Sequence, residues 1–126
     1  MKIKEVENII NKVYPMIAKD YQSTAKVEVY ESLFTRLNCI PAEECNAYAE
    51  YDWNENKIYI YITNMKSIKD IICSLIHECV HSNQNKELFE AFYALDLDYS
   101  THPYEIEANY EELKWKKYKL NTTSIG

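Results

Sequence analysis

The chain has 126 residues, a net charge of −6, and 47% hydrophobic and 27% charged residues. That is the balance of a single domain, residues 1–126, large enough to close a core without disulfide staples. Its one glycine is Gly126, which excludes a glycine-rich phosphate-cradling loop, and the acidic charge argues against DNA or RNA as a partner.

In chain order, Ile3, Val6, Ile10, Val13 and Ile17 recur at spacings of three and four, predicting a first helix from about Lys2 to Tyr21. Pro15 is expected to bend or shorten it, because proline lacks a backbone donor and crowds the preceding turn. Glu5, Glu7, Asn8 and Lys12 interrupt any apolar signal-peptide core, and no run is long enough to span a membrane, so a cytoplasmic location is expected. Residues Lys26 to Tyr30 alternate as a half-buried strand does. Ser32 to Glu44 has no clean period and reads as a loop, with a short strand around Leu37 to Ile40 broken by Pro41.

Asn46 to Tyr51 and Lys57 to Ile62 both alternate, the second with Ile58, Ile60 and Ile62 on one face. The turn-rich Asp52 to Asn56 between them predicts an antiparallel hairpin. Its tyrosine face is either a second packed layer or a surface. Ser67 and Asp70 have the spacing of a capping box. The helix they open carries a wide apolar arc of Ile68, Ile71, Ile72, Leu75, Ile76, Cys79 and Val80, as a central buried helix does. Ser82 to Asn85 ends it. A shorter helix from about Lys86 to Leu95 is expected to pack through Leu88, Phe89, Phe92 and Leu95. Asp96 to Pro103 reads as a loop, and Tyr104 to about Lys119 as the last helix. Cys73 and Cys79 are expected to be small packing residues. Cys39 and Cys45 read as free thiols of a reducing compartment, with pairing or metal binding as alternatives.

The central helix ends in His77-Glu78-Cys79-Val80-His81, an H-E-x-x-H pentad. Histidines four apart lie about 40° from each other around a helix, so both rings leave one face and can reach a single zinc ion. Glu78, set between them, is placed to act on a metal-activated water as general base. A catalytic zinc takes a third protein ligand and keeps an open position. His102, Glu105, Glu107, Glu111 and Glu112 are the downstream candidates.

The pentad followed by Glu107-Ala108 resembles the gluzincin zinc metallopeptidases. Glu105 to Asn109 is also similar to the ImmA/IrrE-type peptidases, and the size is that of minigluzincins and phage-encoded metallopeptidases. The chain lacks the H-E-x-G-H glycine and a helix-turn-helix domain. The resemblance implies a zincin-like α+β domain with an N-terminal helix and a small, partly antiparallel sheet of three or four strands. The motif helix is then followed by a helix carrying the glutamate ligand. It implies Glu107 as third ligand, Glu111 as hydrogen-bond partner of His77, and zinc-dependent peptide-bond hydrolysis in a monomer or weak homo-oligomer. The substrate is an extended peptide laid along an edge strand. Glu105 and Glu112 are expected to be solvated helix charges. His102 reads as a loop or capping residue, with an oxyanion-stabilising or substitute-ligand role as the alternative (SprT-like proteins use a third histidine). Tyr110 and Tyr104 are candidate hydroxyl donors to the tetrahedral intermediate. The alternative function is a non-catalytic zinc-binding regulator of phage or mobile-element type.

Overall fold

A computed structural model describes residues 1–38 and 47–123. Within them lie six helices and one three-stranded mixed sheet, a small α+β arrangement. The elements are α1 (Ile3–Asp20), β1 (Lys26–Tyr30), α2 (Leu33–Leu37), β2 (Ala49–Asp52) and β3 (Lys57–Tyr61). After a 3-10 turn at Ile62–Asn64 come α3 (Ile68–Ser82), α4 (Lys86–Ala94), α5 (Pro103–Glu112) and α6 (Lys116–Thr123).

The sheet order is β1-β3-β2, with β1 parallel and β2 antiparallel to the central β3. Register places Val27, Val29, Ala49 and Tyr51 on the same face as Ile58 and Ile60. That face packs on α1 and α3 in one core containing Val6, Val13, Ile17, Leu75 and Ile76. The opposite face is a second packed layer, because Tyr59 and Tyr61 are also buried. Arg36 of α2 lies 4.1 Å over the Tyr59 ring, donates to the Tyr61 hydroxyl (2.8 Å) and pairs with Glu50 (3.1 Å). Its flat cation covers the rings while its N–H groups satisfy the polar atoms they bring inside. Lys57 pairs with Glu28 across β1 and β3 (2.7 Å).

Four expectations need correction. Of the two effects expected of Pro15, shortening does not occur, and α1 runs unbroken to Asp20. Part of the expected loop after Ser32 is instead α2, capped by the Ser32 side chain and closed by left-handed Asn38. The strand and cysteine readings at 39–46 lie outside the described residues. Leu88 and Leu95 are exposed, so α4 packs through Phe89, Phe92 and the Tyr93 ring. The last helix is broken at Leu113–Trp115, where three successive i to i+3 bonds tighten the chain. This turn lets Trp115 pack against the core and sends the buried Tyr118 hydroxyl to Asp20 at the end of α1 (2.7 Å).

Without internal glycine, left-handed backbone falls to Gln22, Asn38, Asn56 and Asp96. Short polar side chains tolerate that region best. Asn56 turns the β2–β3 hairpin and accepts from the Tyr51 hydroxyl (2.7 Å). None of the described helices is long and apolar enough to cross a membrane.

Candidate metal centre

Helix α3 starts at the Ser67 cap, whose Oγ accepts from Asp70 N, while the Asp70 carboxylate accepts from Lys66 N. Its apolar arc sinks it between α1, the sheet and α5. The last turn then brings His77, Glu78 and His81 to one wall of a cleft of about 770 Å³. The opposite wall is β2 and its turn, from Ala47 to Asn54. In the described sheet β2 has a neighbour on one side only, so it is an edge strand beside the site.

The third group at the histidines is Glu105, not Glu107. Glu105 Oε1 lies 3.0 Å from His77 Nε2 and 2.6 Å from His81 Nε2, and all three residues are buried. His77 Nδ1 meets Glu112 Oε2 at 2.8 Å, the place expected for Glu111. The reason is helical phase. Glu105 and Glu112 are seven residues apart, about 20° from eclipsed, with fully buried Ala108 between them against α3. Glu107 is turned by about 200° from Glu105 and is exposed. The expected solvated charges are therefore the inward ones.

Glu107 does reach the site at one remove. Gln84 Nε2 donates to Glu107 Oε1 (3.2 Å) and to Tyr104 O (3.1 Å). Those two acceptors fix the amide, so Gln84 Oε1 faces His81 Nδ1 at 2.6 Å. Glu111 instead pairs with Lys114 (2.9 Å). His102 is fully buried as the N-cap of α5: its Nδ1 accepts from Tyr104 N, and its Nε2 donates to Phe89 O (2.8 Å). That satisfies both ring nitrogens away from the cluster, as the capping reading had it. Tyr110 points to solvent, and Tyr104 packs against Phe92 and His102.

The acceptors around the rings decide what this cluster can do. Glu112 and Gln84 Oε1 each accept a hydrogen bond from the Nδ1–H of one histidine, the tautomer in which an uncharged ring turns its Nε2 lone pair inward. Glu105 Oε1 adds a third lone pair, so three acceptors converge with no donor among them. Only a cation reconciles such a set, a proton or a metal ion. Against the roughly 3.3 Å edge of a tetrahedron with 2.0–2.1 Å bonds, the His77 separation is about 0.3 Å short and the His81 separation about 0.7 Å short, so an ion would spread the three groups slightly. His77, His81 and Glu105 thus form a buried group that fits a metal ion.

The proton alternative is visible in the electrostatics. Burial works against charge on His77, but its hydrogen bonds to Glu105 and Glu112 prevail and raise its pKa to about 10. Burial would likewise raise Glu105, yet the two histidines hold its carboxyl well below the usual carboxylate range. Glu78 has no such bonds to charge. Burial pushes it up to about 7 against the pull of His77 and His81.

Aromatic rings close the site, and nothing in the spacing of the sequence announced them. Trp53 from the hairpin turn lies 6.0 Å from the His81 ring, Phe89 lies 5.1 Å from it, and Tyr99 stacks parallel to His77 at 6.4 Å. The Tyr93 hydroxyl donates to Glu105 Oε2 at 3.0 Å. The signal that would have found Glu105 and Glu112 was their heptad spacing about Ala108. No protein-family model, curated protein or solved structure matches the chain.

Proposed function

We propose that this protein is a zinc-dependent peptidase of gluzincin-like plan, with zinc held by His77, His81 and Glu105. The observation that carries the reading is the convergence of three lone-pair donors beside the buried carboxyl of Glu78, in a cleft walled by an edge strand. Two imidazoles and one carboxylate are a donor set that suits zinc, and three protein ligands leave a fourth position for water or substrate. Zinc bound there lowers the pKa of a water and polarises a carbonyl.

The chain's own residues supply the rest. Glu78 accepts the proton of the attacking water and returns it to the leaving amine. Glu112 and Gln84 hold the two imidazoles in the tautomer that presents Nε2. The side of β2 that has no neighbour among the described residues offers backbone groups to an extended peptide, which hydrogen-bonds along it as an added strand. Trp53, at the end of β2, offers an apolar surface beside the site.

Digestion of a peptide library tests the proposal. Cleavage that a chelator abolishes and zinc restores is the expected result. Stoichiometric metal binding with no peptide cleaved would contradict it and favour a metal-stabilised binding protein.

A further inference from the structure

Helix α4 buries no residue of its own, yet it meets the metal cluster at two points. Phe89 packs against His81, and one turn later Tyr93 donates its hydroxyl to Glu105 Oε2. That is the oxygen of Glu105 turned away from the histidines, whose Nε2 atoms both face Oε1. A carboxylate can bind a metal through one oxygen or through both, and the choice decides how many positions remain for other ligands. With one lone pair engaged by a phenol, Oε2 is the poorer donor and is anchored in direction. The Phe89 carbonyl also accepts from His102 Nε2, which ties α4 to the start of the helix that carries Glu105.

We propose that Tyr93 is a positioning residue that restricts Glu105 to one-oxygen metal ligation, so that the site keeps a coordination position open. The inference rests on the metal-site reading above. It adds a role for a residue that is neither a candidate ligand nor part of the cleft lining, and acts through Glu105.

Cobalt(II) substitution and zinc affinity of Tyr93→Phe test it, with Tyr104→Phe as a control that removes a hydroxyl from the same aromatic group without touching Glu105. The wild type and Tyr104→Phe are expected to give the intense visible absorption of four-coordinate cobalt. Tyr93→Phe is expected to give a weaker spectrum of higher coordination number, as both oxygens of Glu105 close on the ion. Its zinc affinity should change about 10–100-fold, the usual weight of a hydrogen-bond partner to a metal ligand. Thermal melting in chelator should be the same for all three proteins, separating a site effect from a folding defect. If Tyr93→Phe melts early, Tyr93→His, which keeps a ring donor, should restore the four-coordinate spectrum. Failure of that rescue overturns the proposal. A wild-type four-coordinate spectrum unchanged in Tyr93→Phe, with equal zinc affinity, overturns the role of Tyr93 and leaves the metal site standing. No cobalt or zinc binding by the wild type overturns both.

Discussion

Helix α3 buries ten of its fifteen residues, whereas α4 buries none of its nine. Both face the same cluster. α3 brings two histidines and Glu78 to it on a frame wedged between α1, the sheet and α5, so their positions follow from core packing. α4 brings Phe89 and Tyr93 on a frame held chiefly by the aromatic ring group and the His102 bond. α5 is intermediate: Ala108 seats it on α3, while Ile106 and Tyr110 face solvent. The site is therefore anchored in the core on the side of Glu78 and the two histidines. The α4 side, which reaches Glu105 through Tyr93, is held mainly by contacts with the site itself.

This contrast can be broken or sharpened by substitution. The largest effect is expected at Glu78, where Glu78→Gln should lower peptide hydrolysis about 10²–10⁴-fold with zinc content unchanged. Retained turnover in that variant would end the general-base role. On the frame of α3, Leu75→Ala opens a cavity at a fully buried site and should cost about 2–5 kcal/mol in denaturant unfolding. Leu95→Ala, beyond the end of α4 and 71% exposed, should stay within about 0.5 kcal/mol. Equal losses at the two positions would contradict the division between the frames.

Smaller effects belong to the groups that orient the imidazoles. Glu112→Ala and Gln84→Leu should each weaken zinc binding about 10–100-fold without removing the site. Titration against a competing chelator reads this directly, and unchanged affinity in both variants would show that the tautomers are set elsewhere.

The pH dependence separates proton from metal. In chelated protein the raised His77 contributes stability that is fully present below its ordinary 6.5 and lost as pH rises through about 10. Glu105, held low, contributes stability that is present above its ordinary 4.5 and lost as pH falls. Glu78, raised by burial from 4.5 to about 7, favours the fold below 4.5 and loses that as pH climbs through 7. Chelated protein should thus melt highest near pH 5 and progressively lower toward pH 10. Zinc competes with the His77 proton, so the rise in Tm on adding zinc should widen between pH 6 and 9. A zinc-induced rise that shrinks over that range would contradict the shared site.

How far the sequence carried follows the same contrast. Val6, Ile10, Val13 and Ile17 in α1, and Ile71, Ile72, Leu75 and Ile76 in α3, are legible because their burial repeats with the helical period. The β2–β3 hairpin was legible from its alternation and turn, but the parallel pairing of β1 on β3 was not, since a five-residue alternation carries no information about its neighbour. Glu105, not the Glu107 that the resemblance implied, is the carboxylate beside the histidines. What orients α5 is the seven-residue interval from Glu105 to Glu112 across Ala108. The Arg36 cover over Tyr59 and Tyr61, the Trp53 and Tyr99 rings beside the histidines, and the Tyr93 bond to Glu105 are contacts between distant segments that no local period encodes.

The most direct test of the account is zinc per chain, measured by elemental analysis on purified wild type, Glu105→Ala and Glu107→Ala. Near-stoichiometric zinc in the wild type and in Glu107→Ala, with marked loss in Glu105→Ala, is the predicted result. Zinc that survives Glu105→Ala and is lost in Glu107→Ala, or zinc absent from all three after reconstitution, would contradict it.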